Sequence, residues 1–131
     1  MKLLAGVAVA ALLTLSGCAG GPPERTIELT VHHSQFSLAE LHVRPGETVR
    51  FVVRNTDPIA HELIVGDQSV QDVHEVGTES YHGARAGEVS VAPGATAVTT
   101  YRFAGAGSAV LFGCHLPGHW AYGMHGTIRV G

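Results

Sequence analysis

"VRPGETVRFVVRN", residues 43–55, is a Pro-Gly turn followed by a run in which Val49, Phe51 and Val53 recur at a spacing of two while Arg50 and Arg54 take the other phase. That period puts one face of a strand in a core and the other toward water. A second stretch, "VAPGATAVTTYRF" at residues 91–103, repeats the plan, so two similarly built strand-turn-strand corners are expected. Upstream, Ile27, Leu29 and Val31 alternate in the same way, and "HELIVG", "EVSVAP", "SAVLFG" and "GTIRVG" add further short β-branched runs. No apolar stripe of helical period lasts three turns. The sequence therefore predicts an all-β domain, an antiparallel Greek-key sandwich or barrel of seven to eight strands. Residues 67–87 carry no strand pattern, and a connection of that length is usually functional or mobile.

With 131 residues, 45% of them hydrophobic and 15% charged, the chain has room for one globular domain. Residues 1–17, "MKLLAGVAVAALLTLSG", combine Lys2 with an apolar run from Leu3 to Leu15, which is the pattern of an export signal and too short for a spanning helix. Leu15-Ser16-Gly17-Cys18 resembles the lipobox of bacterial lipoproteins, which implies cleavage before Cys18 and lipid on its sulfur; the alternative is an ordinary secretory signal. Residues 18–25 then read as a Gly/Pro-rich lipidated linker and residues 26–131 as the domain. Beyond the signal, seven arginines face eleven acidic residues, a net charge of −4 with neutral histidines. That balance argues against nucleic acid as a partner, and leaves lipid at Cys18 as the membrane tether. The chain is expected to be exported, anchored on a periplasmic or extracellular face, and monomeric.

An exported protein ordinarily pairs its cysteines. Here lipid at Cys18 would leave Cys114 alone, either as a buried inert thiol or as a metal ligand. Its surroundings favour the metal. "GCHLPGHWAYGMHG", residues 113–126, spaces Cys114, His119 and Met124 by four intervening residues each. Thiolate, imidazole and thioether form a soft-to-borderline set that suits copper, and Met is not a usual zinc ligand. A trigonal His2Cys centre with a weak axial Met needs a second histidine from another strand, and His61, directly after the turn "NTDPIA", is the candidate.

On Gly113 to His119, Gly123-Met124, Asn55 and His61, the chain resembles the cupredoxins, small blue-copper proteins similar to plastocyanin and azurin. The resemblance implies a Greek-key sandwich with one copper held by His61, Cys114, His119 and Met124. It also implies that Asn55 ties the two ligand loops together, with Gly113 supporting the cysteine. Multicopper oxidases, which the copper loop also resembles, flank their copper cysteine with two histidines; here Gly113 stands in one of those places. The chain is therefore not expected to be an enzyme.

Leu116, Pro117 and Trp120 around His119 either dock a redox partner or roof the site. His74 and His82, in residues 67–87, are a candidate weak second metal site; the bland reading is that they are solvated. The leading functional expectation is a one-electron carrier on the outer side of a bacterial membrane, working with a redox partner protein. The alternative is a copper-binding protein of copper tolerance or delivery, working with a copper donor or acceptor.

Overall fold

The computed structural model describes residues 24–107 and 109–131, so the signal sequence, Cys18 and most of the linker lie outside the described residues. Among the described residues nine strands form two sheets. The first sheet has the order β2 (Gln35–Phe36), β1 (Glu24–His32), β4 (Thr48–Asn55), β7 (Thr96–Arg102). The second runs β3 (Glu40–Val43), β9 (His125–Val130), β8 (Ala109–Gly113), β5 (His61–Gly66), β6 (Glu88–Val91). β1 starts at Glu24, two residues ahead of the predicted domain start at Thr26.

The period-two reading holds. Leu29 and Val31 of β1 and Val49, Phe51 and Val53 of β4 are buried, and they meet Leu63, Val65, Phe112 and Ile128 of the other sheet in one core. Both Pro-Gly corners are present: Glu47 N donates to Arg44 O (3.1 Å) and Ala95 N to Ala92 O (3.1 Å), with Gly46 at φ 77° and Gly94 at φ 69°. Only glycine enters that left-handed region without a Cβ penalty.

Three expectations change. The sheets are mixed rather than antiparallel, because β1 runs parallel to β4 and β3 parallel to β9. The chain leaves the first sheet for β3 before returning as β4, so β1 and β4, like β3 and β9, are neighbours that are not consecutive in sequence and no hairpin fixes their direction. Nine strands replace seven to eight because the two-residue β2 pairs with β1. Finally, residues 67–87 contain a helix, α1 (Gln68–Glu75).

Asp67 caps α1 by accepting from Val70 N (3.1 Å) and Ser69 Oγ (2.6 Å). The helix lies against β5 and β8. It covers their outer face, which is why every residue of β5 is buried. Its buried residue Gln71 faces the sheet, donating from Nε2 to the carbonyls of Gly66 (3.3 Å) and Leu111 (3.3 Å). Gly66 is required at that contact, since a Cβ there would stand 2.6 Å from Val70.

Candidate metal centre

Strand register brings the distant histidine to the copper loop. Ile64 of β5 pairs with Gly113, the last residue of β8, in an antiparallel ladder. Continuing that register beyond Gly113 carries the start of β5, with His61, alongside the residues that follow Cys114. The ligand atoms of His61, Cys114 and His119 all lie within 4.8 Å of one another. Cys114 Sγ is 3.2 Å from His119 Nδ1, and the two imidazole centroids are 5.0 Å apart. The loop is closed by its backbone: Met124 N donates to His119 O (3.0 Å) and Cys114 N to Met124 O (3.1 Å). Gly118 (φ 82°) and Gly123 (φ 98°) supply its left-handed turns. Cys114 and Met124 are wholly buried.

One nitrogen of His61 is already committed. Nε2 donates to Asp57 Oδ2 at 2.9 Å, so the lone pair resides on Nδ1, which is buried with no hydrogen-bond partner in the protein. An unpaired buried acceptor costs about 1–3 kcal/mol, which a metal at that position removes. Burial lowers the pKa of His61, against the opposing pull of Asp57, so the ring is held neutral as ligation requires. Asp57 is likewise disfavoured as an anion by burial, but the amides of Ser34 (2.8 Å) and His33 (2.7 Å) outweigh this and, with His61, hold its carboxyl below the usual range. Those two amides come from a turn in which His33 and Ser34 both have positive φ. The ring of His61 is thus oriented by a residue pinned to another loop, an arrangement that raises ligand basicity.

Burial pushes the Cys114 thiol up to about 12, opposed by backbone amides of Leu116 and Glu62 that donate toward its sulfur. The thiol is protonated at neutral pH, and only a cation bound to the sulfur makes the thiolate form there. Soft sulfur donors with two imidazoles fit copper, and His61, Cys114, His119 and Met124 form a type 1 copper-like site.

A model of copper-binding proteins of the plastocyanin/azurin family matches residues 25–131. The chain belongs to that family. It is 35% identical to the copper-resistant cuproprotein CopI of Rubrivivax gelatinosus over 111 residues, covering 82% of this chain and 67% of that one. Against CopI of Pseudomonas aeruginosa it is 28% identical over 138 residues, 81% of this chain and 76% of the relative. In fold it is similar to auracyanin from Roseiflexus castenholzii, with a TM-score of 0.66 at 21% identity over 81% of this chain and 96% of that structure.

The other predicted residues of this cupredoxin have definite places. Asn55 does tie down the His61 loop, but its bonds run to Ile59 O (2.7 Å), Val91 O (3.1 Å) and Ala92 O (3.1 Å), and to Asp57 N at 2.9 Å. They reach the β6–β7 corner, not the 113–126 loop. Gly113 is glycine for a steric reason, because a Cβ there would stand 2.3 Å from the Trp120 ring. Trp120 is half-buried, stacked between His115 (4.6 Å) and His125 (4.6 Å). Leu116 is half-buried and Pro117 exposed. His115 is spent within the protein: Nδ1 lies 2.7 Å from Glu75 Oε2 and Nε2 2.8 Å from Gln71 Oε1.

Asp57 and Glu62 are the functional residues that sequence reasoning missed. Glu62, 2% exposed on β5 beside His61, accepts from His115 N at 2.7 Å and so fixes the backbone next to Cys114. The only sequence signal for Asp57 was its place four residues before His61 in the turn "NTDPIA".

Proposed function

We propose that this chain is an exported copper-tolerance protein that takes up copper outside the cytoplasm and holds it in the type 1 centre. The observation that carries the reading is the buried His61 Nδ1, which has no hydrogen-bond partner in the protein and stands beside the Cys114 thiol that burial keeps protonated. The orphaned acceptor is a cost to the fold that bound copper offsets. Kinship with two proteins named copper-resistant cuproproteins supports the physiological side. The export signal at residues 1–17 and the lipobox-like Leu15 to Cys18 support a lipid-tethered, extracytoplasmic location. Four donors leave no open position for a substrate, which favours holding over catalysis.

Bound copper supplies a one-electron change between Cu(I) and Cu(II), so a second reading, electron transfer to a redox partner, rests on the same residues. It is favoured by Leu116 and Pro117, which give the loop around His119 an apolar, partly exposed rim for docking. Asp57 holds His61 while loop backbone bonds hold His119 and Met124, so ligand positions change little with ion charge.

Deleting the chain from its host should make growth copper-sensitive, with tolerance restored by the wild type and not by Cys114→Ser. Unchanged tolerance on deletion, together with slowed electron flow, would reverse the order of the two readings. Metabolic labelling with a fatty acid tests the tether, and the label should be lost in Cys18→Ser.

A further inference from the structure

A second cluster lies on the far side of Glu62, in an open cleft of about 560 Å³ between α1, residues 77–82 and the copper loop. His74 comes from α1 and Glu88 from β6. His82 is pinned alongside β6, its N donating to Ser90 Oγ (2.7 Å) and its carbonyl accepting from Ser90 N (2.9 Å). Ligand atoms of the three side chains lie within 4.8 Å of one another. Asp67 and Asp72, near neighbours in sequence, take no part: one caps α1 and the other accepts from Gln68.

Hydrogen bonds dictate which nitrogens are free. His74 Nδ1 donates to Val70 O at 2.7 Å, so its lone pair is on Nε2, which faces Glu88 Oε1 at 3.7 Å. That is too long for a hydrogen bond, and close to the separation of two ligands about 2 Å from a shared ion. Arg85 Nη2 donates to His82 Nδ1 at 2.9 Å, so the lone pair of His82 is on Nδ1, 3.4 Å from Glu88 Oε2. Both lone pairs therefore converge on the same carboxylate.

The charges around them do not balance. Glu62, Glu75, Glu79 and Glu88 line or edge the cleft, and Arg85 is the guanidinium among them. Its Nη2 uses both hydrogens on Glu79 (3.0 Å) and His82, so Glu88 Oε2, 2.8 Å away, has no hydrogen bond. Glu62 Oε2 is also orphaned: it is buried, 3.3 Å from His82 Nε2, and lacks hydrogen-bond geometry to it. Arg85 thus stands where a cation is needed, holding Glu79 and His82 while Glu62 Oε2 and Glu88 Oε2 keep no hydrogen bond. Its side chain is 53% exposed, so water lies on the path by which it would leave.

We infer that His74 Nε2, His82 Nδ1 and the Glu88 carboxylate form a second metal site, for Cu(II), with Arg85 as the group that vacates it. Two imidazoles and a carboxylate, with no sulfur, suit the cupric ion over the cuprous, and copper heads the divalent affinity order for such nitrogen and oxygen sets. The site goes beyond the function proposed above and stands whichever way the type 1 centre is used.

The test starts from protein with its type 1 centre filled and titrates Cu(II), following bound copper per chain and the electron paramagnetic resonance spectrum. The expected endpoint is two copper ions per chain, the second with the wide hyperfine splitting of a site without thiolate. His74→Ala and His82→Ala should each weaken the second ion by more than about 100-fold, since loss of mere supporting partners already costs about 10–100-fold. The visible band of the first ion should stay in place. His74 is less buried than His82, so it decides the matter if the His82 variant fails to fold. Arg85→Ala should tighten the second ion about tenfold or more. A one-copper endpoint in both wild type and Arg85→Ala overturns the inference, as does a second ion that survives His74→Ala.

Discussion

The two histidine clusters flanking Glu62 use the same imidazoles in opposite surroundings. Around His61, Cys114 and His119 the walls are core side chains, and burial holds both the His61 ring and the Cys114 thiol in their neutral forms. Around His74 and His82 stand four carboxylates and a guanidinium, with Glu75, Glu79 and Arg85 open to water while Glu62 and His82 are buried. In the first cluster the protein presents soft, uncharged donors. In the second it presents hard carboxylate oxygen. The difference teaches that imidazole alone does not choose the metal's oxidation state; the neighbours that are buried or left charged do so.

The strongest way to break that contrast is to take the sulfur away. Cys114→Ser should abolish the intense visible band of the copper protein and lower copper affinity at the first site by more than about 100-fold, judged against the cost of losing supporting groups alone. An absorption spectrum and a competitive chelator titration read both effects. Retention of colour and grip would sink the assignment of Cys114.

Asp57 comes next, because it is what makes His61 a directed ligand rather than a buried ring. Asp57→Asn keeps the size but weakens the acceptor for His61 Nε2 and for the amides of His33 and Ser34. A fall of about 10–100-fold in copper affinity is expected, with the visible band shifted rather than lost. Unaltered affinity would mean that strand β5 alone orients the ring.

Much of this was legible in the sequence, for a local reason. Period-two runs announce strands, and a Pro-Gly pair announces a corner, so both the 43–55 and 91–103 stretches read correctly. Cys114, His119 and Met124 were legible because one loop carries all three at fixed spacing. What escaped depends on pairing between distant segments. Nothing in β1 says that it runs parallel to β4. Glu62 and Asp57 become functional only once β5 meets β8 and the His33–Ser34 turn folds over. The short helix α1 has two turns and buries a glutamine, Gln71, so its apolar pattern is weak; the Asp67 cap was its one signal. Glu88, the carboxylate His74 and His82 share, sits in a run that reads only as a strand.

Gly113 allows a sharper question, whether the Trp120 ring sets the space available at the end of β8. Gly113→Ala would drive a methyl group into the indole and should destabilise the protein by about 1–3 kcal/mol, the usual cost of overpacking. Adding Trp120→Ala removes the obstruction, so the double variant should recover part of the loss relative to Trp120→Ala alone. Thermal or denaturant unfolding of the four proteins measures the coupling, and strictly additive losses would exclude it.

The smallest effect isolates the environment of the first cluster without any metal. In the apo-protein the Cys114 thiol is raised from 9.0 to about 12 by burial, while in the unfolded chain it titrates near the ordinary value. Between those limits the unfolded state has lost a proton that the folded state still holds, so stability declines as pH rises above about 9, by roughly 1.4 kcal/mol per pH unit, and is unaffected by this group below that. Other groups also titrate in alkali, so the informative quantity is the difference between wild type and Cys114→Ser. That difference should be flat from pH 7 to 9 and should then shrink the wild type's stability relative to the variant by about 1.4 kcal/mol at pH 10. A flat difference through pH 10 would mean that the amides of Leu116 and Glu62 already stabilise the thiolate in the empty site. The first cluster would then attract cations by charge, as the second does, and the contrast between them would reduce to the softness of sulfur.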